Sequence, residues 1–440
     1  MKLGELKSKK ILILGFGREG QDTFLFLRKL FPKKILGIAD IKYKIQDTRY
    51  EIQNVKWHLG RDYLKALKDY DIVIKSPGIP FKILPKLALK KIVTQTDIFF
   101  NNCPGKIVGI TGTKGKSTTA SLIYKILKQW GLKVHLVGNI GKPVLNLLFS
   151  ATPKDIYVYE LSSHQLYNLK KSPQIAIFLN IYPEHLDYYR DFKEYLWAKQ
   201  NIVRYQTKED YFIYNSNDIN VRETAKLTKA KKIPISSKVD VEFFDTCRKS
   251  QLIGEFNFLN MAAAIEVGKI FQVPKEKIIK AVKNFKPLPH RLELVGTFKG
   301  ITFYNDALST IPETAILAMT TLGKRVQTIF LGGFDRKIDF KKLAKSVLEN
   351  KNIKNIILFP TTGEKIWKEI LKFSGEQFSV NLPRHFFVDN MRDAVRLAYQ
   401  HTQKGKICLL SCASTSFSIF RDYKEKGNLF KKYVKKFAKK

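Results

Sequence analysis

Short apolar runs followed by apolar residues at helical spacing recur along this chain and predict alternating strands and helices. The first run, Ile11–Leu14, precedes a glycine-rich turn and then apolar positions between Phe24 and Phe31, which end at Pro32. A second apolar run covers residues 35–39. This order predicts a β-α-β unit of the kind found in dinucleotide-binding folds.

The same alternation returns twice further along the chain. After the turn-rich stretch 101–105, a strand at 106–110 leads into a glycine loop and a helix that ends at Gly131. After residues 286–289, four apolar runs alternate with amphipathic segments. These runs cover residues 301–304, 326–331, 353–358 and 407–410. Strands separated by helices predict an α/β fold with mostly parallel sheets, whose ligands bind at the carboxyl ends of the strands.

Size and composition fit a protein of more than one domain. The chain has 440 residues, of which 44% are hydrophobic and 27% charged, which is typical of globular proteins and too long for a single ordinary core. No stretch of about 18 apolar residues predicts a membrane span, and the amino terminus has no signal-peptide pattern. The four cysteines are scattered, which predicts reduced thiols and a cytoplasmic location.

The formal net charge of +39 raises the question of an anionic partner, because such a field attracts nucleotides, nucleic acids and anionic lipids. The lysines are nevertheless spread over the whole chain, with one tail cluster at 431–440, and no nucleic-acid recognition motif accompanies them. A lysine-rich solvated surface is therefore the favoured interpretation, and no nucleic-acid partner is expected.

The segment Gly112-Thr-Lys-Gly-Lys116-Ser117-Thr118 carries the strongest chemical signal. It lies between a predicted strand and a predicted helix, which is the setting of a phosphate-binding loop. Glycines allow backbone N–H groups to face phosphate oxygens, Lys116 can reach the outer phosphates, and the Ser117 or Thr118 hydroxyl can bind Mg²⁺. One position departs from the usual GxxxxGK[ST] spacing, since Ile110 stands where the first glycine is expected.

Two further strand ends carry polar side chains that suit a metal or phosphate site. Glu160 ends the apolar run that begins at Tyr157, and a carboxylate near a phosphate loop can hold Mg²⁺ directly or through water. Asn180, Glu184 and His185 follow the run 175–179. A single histidine is more often structural, but one beside a carboxylate in a chain with a phosphate loop favours a metal or phosphate site.

The amino-terminal motif Gly15-Phe-Gly17-Arg-Glu-Gly20 is a weaker signal. With Asp40 twenty residues after Gly20, it is typical of NAD binding. The same glycine turn could equally hold the diphosphate of another nucleotide, and the residues alone leave both possibilities open.

Together these motifs resemble those of the Mur ligases, which add amino acids to the UDP-linked muramyl precursor of peptidoglycan. The resemblance covers essentially the whole chain and rests on motifs in a fixed order. They are residues 15–20 (GFGREG), 76–79 (SPGI), 111–117 (TGTKGKS), 138–141 (GNIG), 160–165 (ELSSHQ), 180–187, 198–199 (AK), 257–260 (NFLN), 290–293 (HRLE), 305–306 (ND), 331–335 (LGGFD) and 410–427.

The resemblance implies a Rossmann-like UDP-precursor-binding domain at 1–103, a central P-loop ATPase-like domain at 104–288 and a Rossmann-like amino-acid-binding domain at 289–440. It also implies an ATP- and Mg²⁺-dependent ligase that adds glutamate, as the D enantiomer, to UDP-N-acetylmuramoyl-L-alanine. In such a reaction the precursor carboxylate attacks the γ-phosphate of ATP, and the amino group of glutamate displaces phosphate from the acyl phosphate. A monomer is expected.

The resemblance also assigns roles to individual residues. The catalytic and metal-binding residues, for two Mg²⁺ sites, are Lys116, Ser117, Glu160, His185 and Lys199, the last as a carbamate formed with CO₂. The ATP-binding residues are Gly112, Thr113, Lys114, Gly115, Lys116, Ser117, Thr118, Asn257, Asn260, His290, Arg291 and Asp306. The UDP-precursor-binding residues are Gly15, Gly17, Arg18, Glu19, Asp40, Lys42, Ser76, Gly78, Asn139, Ser163 and Gln165. The amino-acid-binding residues are Thr310, Arg336, Ser416 and Tyr423.

The chain departs from the family pattern near the predicted amino-acid pocket. Where D-glutamate enzymes usually have Asp-Ser-Lys-Ala-Thr-Asn, this chain reads Asp306-Ala-Leu-Ser-Thr-Ile311, so Leu308 replaces a lysine associated with the acidic amino acid. Arg336 or Lys337 could supply the missing charge. Addition of L-glutamate or L-alanine and a folylpolyglutamate-type reaction are the alternative activities. A non-catalytic nucleotide- or nucleic-acid-binding role is the alternative of another class.

Overall fold

The chain forms three β-sheets flanked by α-helices in this computed structural model, which describes residues 1–43, 53–185, 187–238, 241–377 and 382–439. It divides into two compact units. The first comprises Met1–Ser250 with Phe256–Phe285, and the second comprises Gln251–Glu255 with Lys286–Lys440. The first unit holds two sheets and the second holds one. The three-domain division at residues 103 and 288 stays a prediction, although each predicted domain contains one sheet.

The first sheet consists of five parallel strands. They are β1 (Ile11–Leu14), β2 (Leu36–Asp40), β3 (Val55–Leu59), β4 (Ile72–Lys75) and β5 (Ile92–Thr94), accompanied by helices α1 (Arg18–Leu30) and α2 (Gln95–Asn102). The strand order is β3-β2-β1-β4-β5. β1 is central and wholly buried, as expected of a continuous apolar run in a parallel sheet. The predicted β-α-β unit is confirmed, with β2 displaced by one residue.

The second sheet is also entirely parallel, with six strands in the order β11-β10-β9-β6-β8-β7. The strands are β6 (Lys106–Thr111), β7 (Val134–Gly138), β8 (Ile156–Glu160), β9 (Ile175–Phe178), β10 (Tyr211–Asn215) and β11 (Lys231–Ile235). The helices are α3 (Lys116–Gln129), α4 (Ser163–Leu166), α5 (Phe192–Gln200), α6 (Ile219–Thr224), α7 (Val241–Arg248), α8 (Glu255–Ile270) and α9 (Lys275–Lys283). β6 lies between β8 and β9, so the three predicted polar strand ends share one edge of the sheet.

The third sheet is mixed, with the order β12-β13-β17-β14-β15-β16. Its strands are β12 (Glu293–Phe298), β13 (Ile301–Asn305), β14 (Val326–Gly332), β15 (Asn355–Phe359), β16 (Arg384–Phe387) and β17 (Ile407–Leu410), and its helices are α10 (Pro312–Leu322), α11 (Lys341–Glu349), α12 (Thr362–Gln377), α13 (Met391–His401) and α14 (Tyr423–Ala438). Only β12 is antiparallel to its neighbour. The apolar pattern did not predict the two edge strands β12 and β16, because they are half-exposed and mix polar with apolar residues.

The basic carboxyl-terminal tail is part of this third core. Phe430 and Val434 of α14 are fully buried in the cluster that also contains Phe303 and Phe330, and their spacing of four residues places them on one helix face. Most lysines of the tail therefore lie on the solvent-facing side of a helix whose other side is packed against the core. Within the described residues, no helix is both long and apolar enough to span a membrane. All four cysteines are unpaired thiols, as predicted.

Candidate active site

The predicted phosphate-binding loop joins β6 to α3. Asn180, which follows the neighbouring strand β9, shapes the loop: its carbonyl oxygen accepts a hydrogen bond from Thr113 N (2.9 Å) and its side-chain oxygen accepts one from Lys114 N (2.9 Å). Gly115 precedes α3 with a φ of 89°. Lys116 Nζ donates to the carbonyl oxygens of Gly112 and Thr113 (2.8 and 2.9 Å). The loop thus holds a cation beside the positive end of a helix dipole, as phosphate binding requires.

Two asparagines of α8 reach this loop. Asn260 Oδ1 accepts a hydrogen bond from Thr119 Oγ1 of α3 (3.2 Å), and Asn260 Nδ2 donates to Asn257 Oδ1 (2.9 Å). Both side chains are buried. The structure therefore brings Asn257 and Asn260, which the sequence predicts to bind ATP, together with the phosphate loop.

Lys199 and Glu160 are buried charged groups beside the same loop. Lys199 on α5 donates to the carbonyl oxygen of Gly112 (3.0 Å) and to Thr111 Oγ1 (3.4 Å). Burial, reinforced by the positive charge of Lys116, holds the pKa of Lys199 well below its ordinary value. The negative charge of Glu160, at the end of β8, acts on Lys199 in the opposite direction. Glu160 is buried, and its Oε2 has no hydrogen-bonding partner.

An ion pair and a histidine lie across the loop. Lys114 Nζ is 2.9 Å from Glu184 Oε1. Burial acts to raise the pKa of Glu184, but the charges of Lys114 and His185 outweigh it and lower the pKa to about 2. His185, with a φ of 60°, lies 3.9 Å from Glu184 between Nε2 and Oε2. Burial lowers the pKa of His185, which therefore favours the neutral imidazole that metal binding needs.

Four of these groups, Lys116, Glu184, His185 and Lys199, line a cavity of about 240 Å³, whereas Glu160 and Lys114 do not. The residues that line it are Glu19, Pro77, Lys116, Asn139, Ser162, Ser163, His164, Glu184, His185, Tyr195 and Lys199. Glu19 and Pro77 belong to the segment that carries the first sheet, and the others belong to the segment that carries the second. The cavity thus joins predicted catalytic residues with part of the predicted precursor site.

The first-sheet residues predicted to bind the precursor form a connected polar edge. Ser76 Oγ donates to the carbonyl oxygen of Gly15 (2.7 Å). Asp40 accepts hydrogen bonds from the backbone N–H groups of Phe16 (2.8 Å) and Lys42 (3.0 Å). One carboxylate oxygen of Asp40 therefore holds the glycine loop in shape, and the other holds the turn that follows β2. Lys42 and Gly17 are exposed. Neither of them lines the cavity, and Gly78 does not line it either.

Helix α1 links this edge to the second sheet. Arg18 Nη2 donates to the carbonyl oxygen of Gly141, and Gln165 Nε2 donates to Glu19 Oε1 (2.8 Å). Burial raises the pKa of Glu19 to about 7, although the hydrogen bond from Gln165 opposes the shift. Arg18 and Glu19 of the first-sheet segment therefore contact Gly141 and Gln165 of the second-sheet segment, and of these four residues only Glu19 lines the cavity.

The remaining predicted residues lie in the second unit. His290 and Tyr423 form an edge-to-face ring contact at 5.9 Å. Asp306 accepts hydrogen bonds from Ser411 Oγ (2.9 Å) and Leu292 N (3.0 Å). Burial raises the pKa of Asp306 to about 6. Thr310 and Arg291 are half-buried, Ser416 is buried, and Arg336 is exposed.

The predicted metal-binding residues Ser117, Glu160 and His185 can hold a magnesium ion only if further oxygen ligands take part. Among the described residues, no three His, Cys, Asp or Glu side chains converge as a metal-binding group. Glu160 offers an unpartnered, buried carboxylate oxygen, and oxygen is the ligand that Mg²⁺ prefers. Ser117 lies in the first turn of α3, directly after the phosphate loop, and His185 lines the cavity. Phosphate oxygens, water and a carbamate on Lys199 are ligands that would complete this set.

Some residues of the site were not assigned from the sequence. His164 and Tyr195 line the cavity, and Tyr195 OH is 3.1 Å from Thr113 Oγ1. His164 lies within the motif 160–165, so the sequence could have indicated that it belongs to the site. Tyr195 precedes Lys199 by four residues on α5, which places both on one helix face, but only the recognised role of Lys199 would have drawn attention to it.

A phosphate loop at the edge of a parallel sheet, with buried lysine and glutamate beside it, defines a nucleotide-binding α/β protein. The sequence profile of the Mur ligase middle domain matches residues 110–268. The UDP-N-acetylmuramoylalanine--D-glutamate ligase of Acetivibrio thermocellus is 31% identical over 465 residues, covering 98% of this chain and 97% of the relative. The enzyme of that name from Clostridium acetobutylicum is 33% identical over 454 residues, with the same coverage.

A solved structure agrees in fold. The UDP-N-acetylmuramate-alanine ligase of Thermotoga maritima superposes with a TM-score of 0.57 at 15% identity, covering 98% of this chain and 99% of that one. The chain belongs to the Mur ligase family. This confirms the resemblance drawn from the ordered motifs, and with it the predictions of an α/β fold and of an ATP-dependent ligase.

Proposed function

We propose that this chain joins D-glutamate to UDP-N-acetylmuramoyl-L-alanine, with ATP converted to ADP and phosphate, during peptidoglycan precursor synthesis. The observation that carries the proposal is the cavity in which Lys116, His185 and Lys199 meet Asn139 and Glu19. The cavity brings residues predicted to bind phosphate together with residues predicted to bind the precursor. Relatives that are 31% and 33% identical over nearly the whole chain bear this activity in their names.

Positive charge at the loop serves the first chemical step. The precursor carboxylate and the γ-phosphate are both anions, and their approach forms the acyl phosphate as the bond to ADP breaks. Glu184 largely neutralises the charge of Lys114, whose Nζ lies 2.9 Å from Glu184 Oε1. Lys116 is therefore the lysine of the loop that we expect to stabilise the charge on the γ-phosphate. A unit charge at about 4 Å contributes roughly 4 kcal/mol at an effective dielectric constant of about 20, so one well-placed lysine changes the rate greatly.

Ser117, Glu160 and His185 are the residues that we propose to hold Mg²⁺, at two sites together with a carbamate on Lys199. Bound Mg²⁺ neutralises phosphate charge and orients the phosphate oxygens. Lys199 supports the carbamate because its burial favours the neutral amine. A neutral amine can attack CO₂ and release one proton, which leaves a carboxylate-like group in place of a cation.

In the second step, the amino group of glutamate attacks the acyl carbon and phosphate leaves. We assign the amino acid to Thr310, Arg336, Ser416 and Tyr423, and further ATP contacts to His290, Arg291 and Asp306. Because its proposed substrates are cytoplasmic, we expect the reaction to take place in the cytoplasm. We also expect the protein to be a monomer, and sedimentation velocity at micromolar concentration tests this.

The proposal is tested by phosphate release in mixtures that each omit one component. With UDP-N-acetylmuramoyl-L-alanine, ATP and Mg²⁺ present, D-glutamate should stimulate release and the other amino acids, including L-glutamate and L-alanine, should not. If L-glutamate alone is consumed, the family assignment stands and the enantiomer is wrong. If no amino acid stimulates release, the proposed function fails.

A further inference from the structure

The turn that follows β4, residues 76–79, forms part of the cavity wall through Pro77. We call these four residues the wall turn. Ile79 N donates to the carbonyl oxygen of Ser76 (3.3 Å), and Ser76 N donates to the carbonyl oxygen of Leu14 at the end of β1 (2.8 Å). Two side chains that have no predicted role in the site donate further hydrogen bonds to the carbonyl oxygens of this turn.

Lys75, the last residue of β4, is the first of these side chains. Its exposed fraction is 0%, although lysine is almost never fully buried unless it is paired. Its Nζ donates to the carbonyl oxygens of Ser76 (3.0 Å) and Ile79 (2.7 Å) and lies 4.5 Å from the centre of the Phe81 ring. Backbone oxygens of the wall turn therefore take the place of water around this ammonium group.

The charge of Lys75 is offset by Glu19, which lines the cavity. Burial lowers the pKa of Lys75 to about 7, and the negative charge of Glu19 opposes this shift. The positive charge of Lys75 in turn opposes the rise in the pKa of Glu19. The cation that holds the wall turn thus also reduces the repulsion that an anionic ligand meets from Glu19.

Tyr188 holds the wall turn from the segment that carries the second sheet. Its hydroxyl oxygen lies 3.0 Å from the carbonyl oxygens of both Pro77 and Ile79, so two acceptors share one O–H group. The carbonyl oxygen of Ile79 accepts from Lys75 as well as from Tyr188, which uses both of its lone pairs. These two side chains therefore bind the carbonyl oxygens of three of the four residues of the wall turn.

Tyr188 is also attached to the predicted metal-binding residue His185. Its backbone N–H donates to the carbonyl oxygen of His185 (2.9 Å). Its ring makes an edge-to-face contact with the ring of His164, with the ring centres 4.1 Å apart. Both histidines line the cavity. Tyr188 therefore connects the wall turn, through its hydroxyl, to His185, through its backbone.

We propose that Lys75 and Tyr188 are positioning residues that hold the wall turn in the conformation that binds UDP-N-acetylmuramoyl-L-alanine. The inference rests on the proposed function, in which Ser76 and Gly78 of this turn contact the precursor. A turn that already has its bound conformation lowers the entropic cost of binding. Because both side chains act through the backbone of the turn, their loss weakens precursor binding and leaves the chemical steps intact.

Tyr188→Phe removes the shared hydroxyl and keeps the ring that contacts His164. The dissociation constant of UDP-N-acetylmuramoyl-L-alanine should rise about 5- to 10-fold, as expected for one lost hydrogen bond. Titration calorimetry with Mg²⁺ and a non-hydrolysable ATP analogue measures it. The KM for the precursor should rise by the same factor, whereas kcat at saturating precursor and the KM for ATP should not change. Tyr167→Phe is the matched control, because its hydroxyl donates to Glu194 Oε1 (2.5 Å) and not to the wall turn.

Lys75→Met removes the hydrogen bonds of the ammonium group and the charge that offsets Glu19. The dissociation constant of the precursor should rise about 10- to 100-fold, because hydrogen bonds from charged groups are stronger than neutral ones. Lys86→Met, at an exposed position after the wall turn, is the control and should bind the precursor like the wild type. Because Lys75 and Tyr188 share the carbonyl oxygen of Ile79, the double variant should lose less affinity than the product of the two single losses.

An unchanged precursor affinity in either folded variant overturns the assignment of that residue and leaves the proposed function standing. Equal losses of precursor and ATP affinity also overturn it, because they indicate a general structural role. If Lys75→Met does not fold, Tyr188→Phe decides the question. A wild-type protein that binds no precursor contradicts the proposed function itself, and the inference fails with it.

Discussion

The side-chain oxygen of Asn260 lies 2.3 Å from the position that a Cβ atom would occupy on Gly115. Gly115 also has a φ of 89° at the start of α3, a conformation that residues with a side chain rarely adopt. Glycine is therefore needed here for two separate reasons. The absence of a side chain at Gly115 lets Asn260 of α8 pack directly against the phosphate loop, where the first turn of α3 begins.

Gly115→Ala should lower the free energy of unfolding and raise the KM for ATP, because both the loop conformation and Asn260 must shift. Positive φ alone costs about 1–2 kcal/mol. Gly131→Ala is the matched control, since Gly131 has a φ of 84° and no atom within 4 Å of the added Cβ. Urea unfolding and ATP titration compare the two variants. Equal losses of stability with an unchanged KM for ATP would show that the contact with Asn260 is unimportant.

Lys116→Ala should reduce kcat about 100- to 1000-fold, the cost of losing one group that stabilises developing charge. The fold should persist, because Lys116 Nζ donates to carbonyl oxygens of its own loop. Lys128→Ala, at the exposed end of α3, should keep wild-type activity. Phosphate release and circular dichroism measure the two effects, and near-normal turnover in Lys116→Ala would exclude the loop from catalysis.

Lys199 should make activity depend on CO₂. Buffer depleted of CO₂ should lower turnover at pH 7 and bicarbonate should restore it, because burial keeps the amine in its reactive neutral form. Lys199→Ala should be inactive under both conditions, whereas Lys193→Ala, exposed on the same helix, should respond like the wild type. Activity that ignores CO₂ would count against carbamylation, and a carbamate signal in ¹³C NMR would support it.

Asp306 should make stability depend on pH. Burial raises its pKa from 3.8 to about 6 in the folded protein, so folding favours the protonated carboxyl. The stabilisation is fully present below pH 3.8 and is lost as the pH rises through about 6. Asp306→Asn, which can keep partners at Ser411 and Leu292, should flatten this part of the curve of unfolding free energy against pH. An unaltered slope between pH 4 and 6 would assign the dependence to other groups.

The sequence predicts those parts of the fold where the physical signal is local. β1 is a continuous apolar run, α1 ends before Pro32, and the loop at 112–118 has its own pattern of glycine, lysine and hydroxyl residues. The edge strands β12 and β16 escape prediction because half-exposed strands lack a continuous apolar run.

Long-range features of the site are harder to predict. Asp40 was expected to bind the UDP precursor, and its carboxylate also accepts hydrogen bonds from the backbone of Phe16 and Lys42, which no local pattern reveals. Lys75 is one of many lysines in a chain with 78 lysines and arginines, and only tertiary packing distinguishes it from the exposed Lys86. The strand end at Glu160 suggested a Mg²⁺ ligand, but the role of Lys199 came only from the family resemblance, since its burial depends on strands and helices far apart in sequence.

Transfer of ¹⁸O tests the central claim, activation of a carboxylate by ATP, most directly. UDP-N-acetylmuramoyl-L-alanine labelled with ¹⁸O in its terminal carboxylate is incubated with ATP, Mg²⁺ and D-glutamate, and the released phosphate is analysed by mass spectrometry. The account predicts one ¹⁸O atom in each phosphate formed with the amide product. Phosphate without ¹⁸O, released while the amide forms, would contradict it.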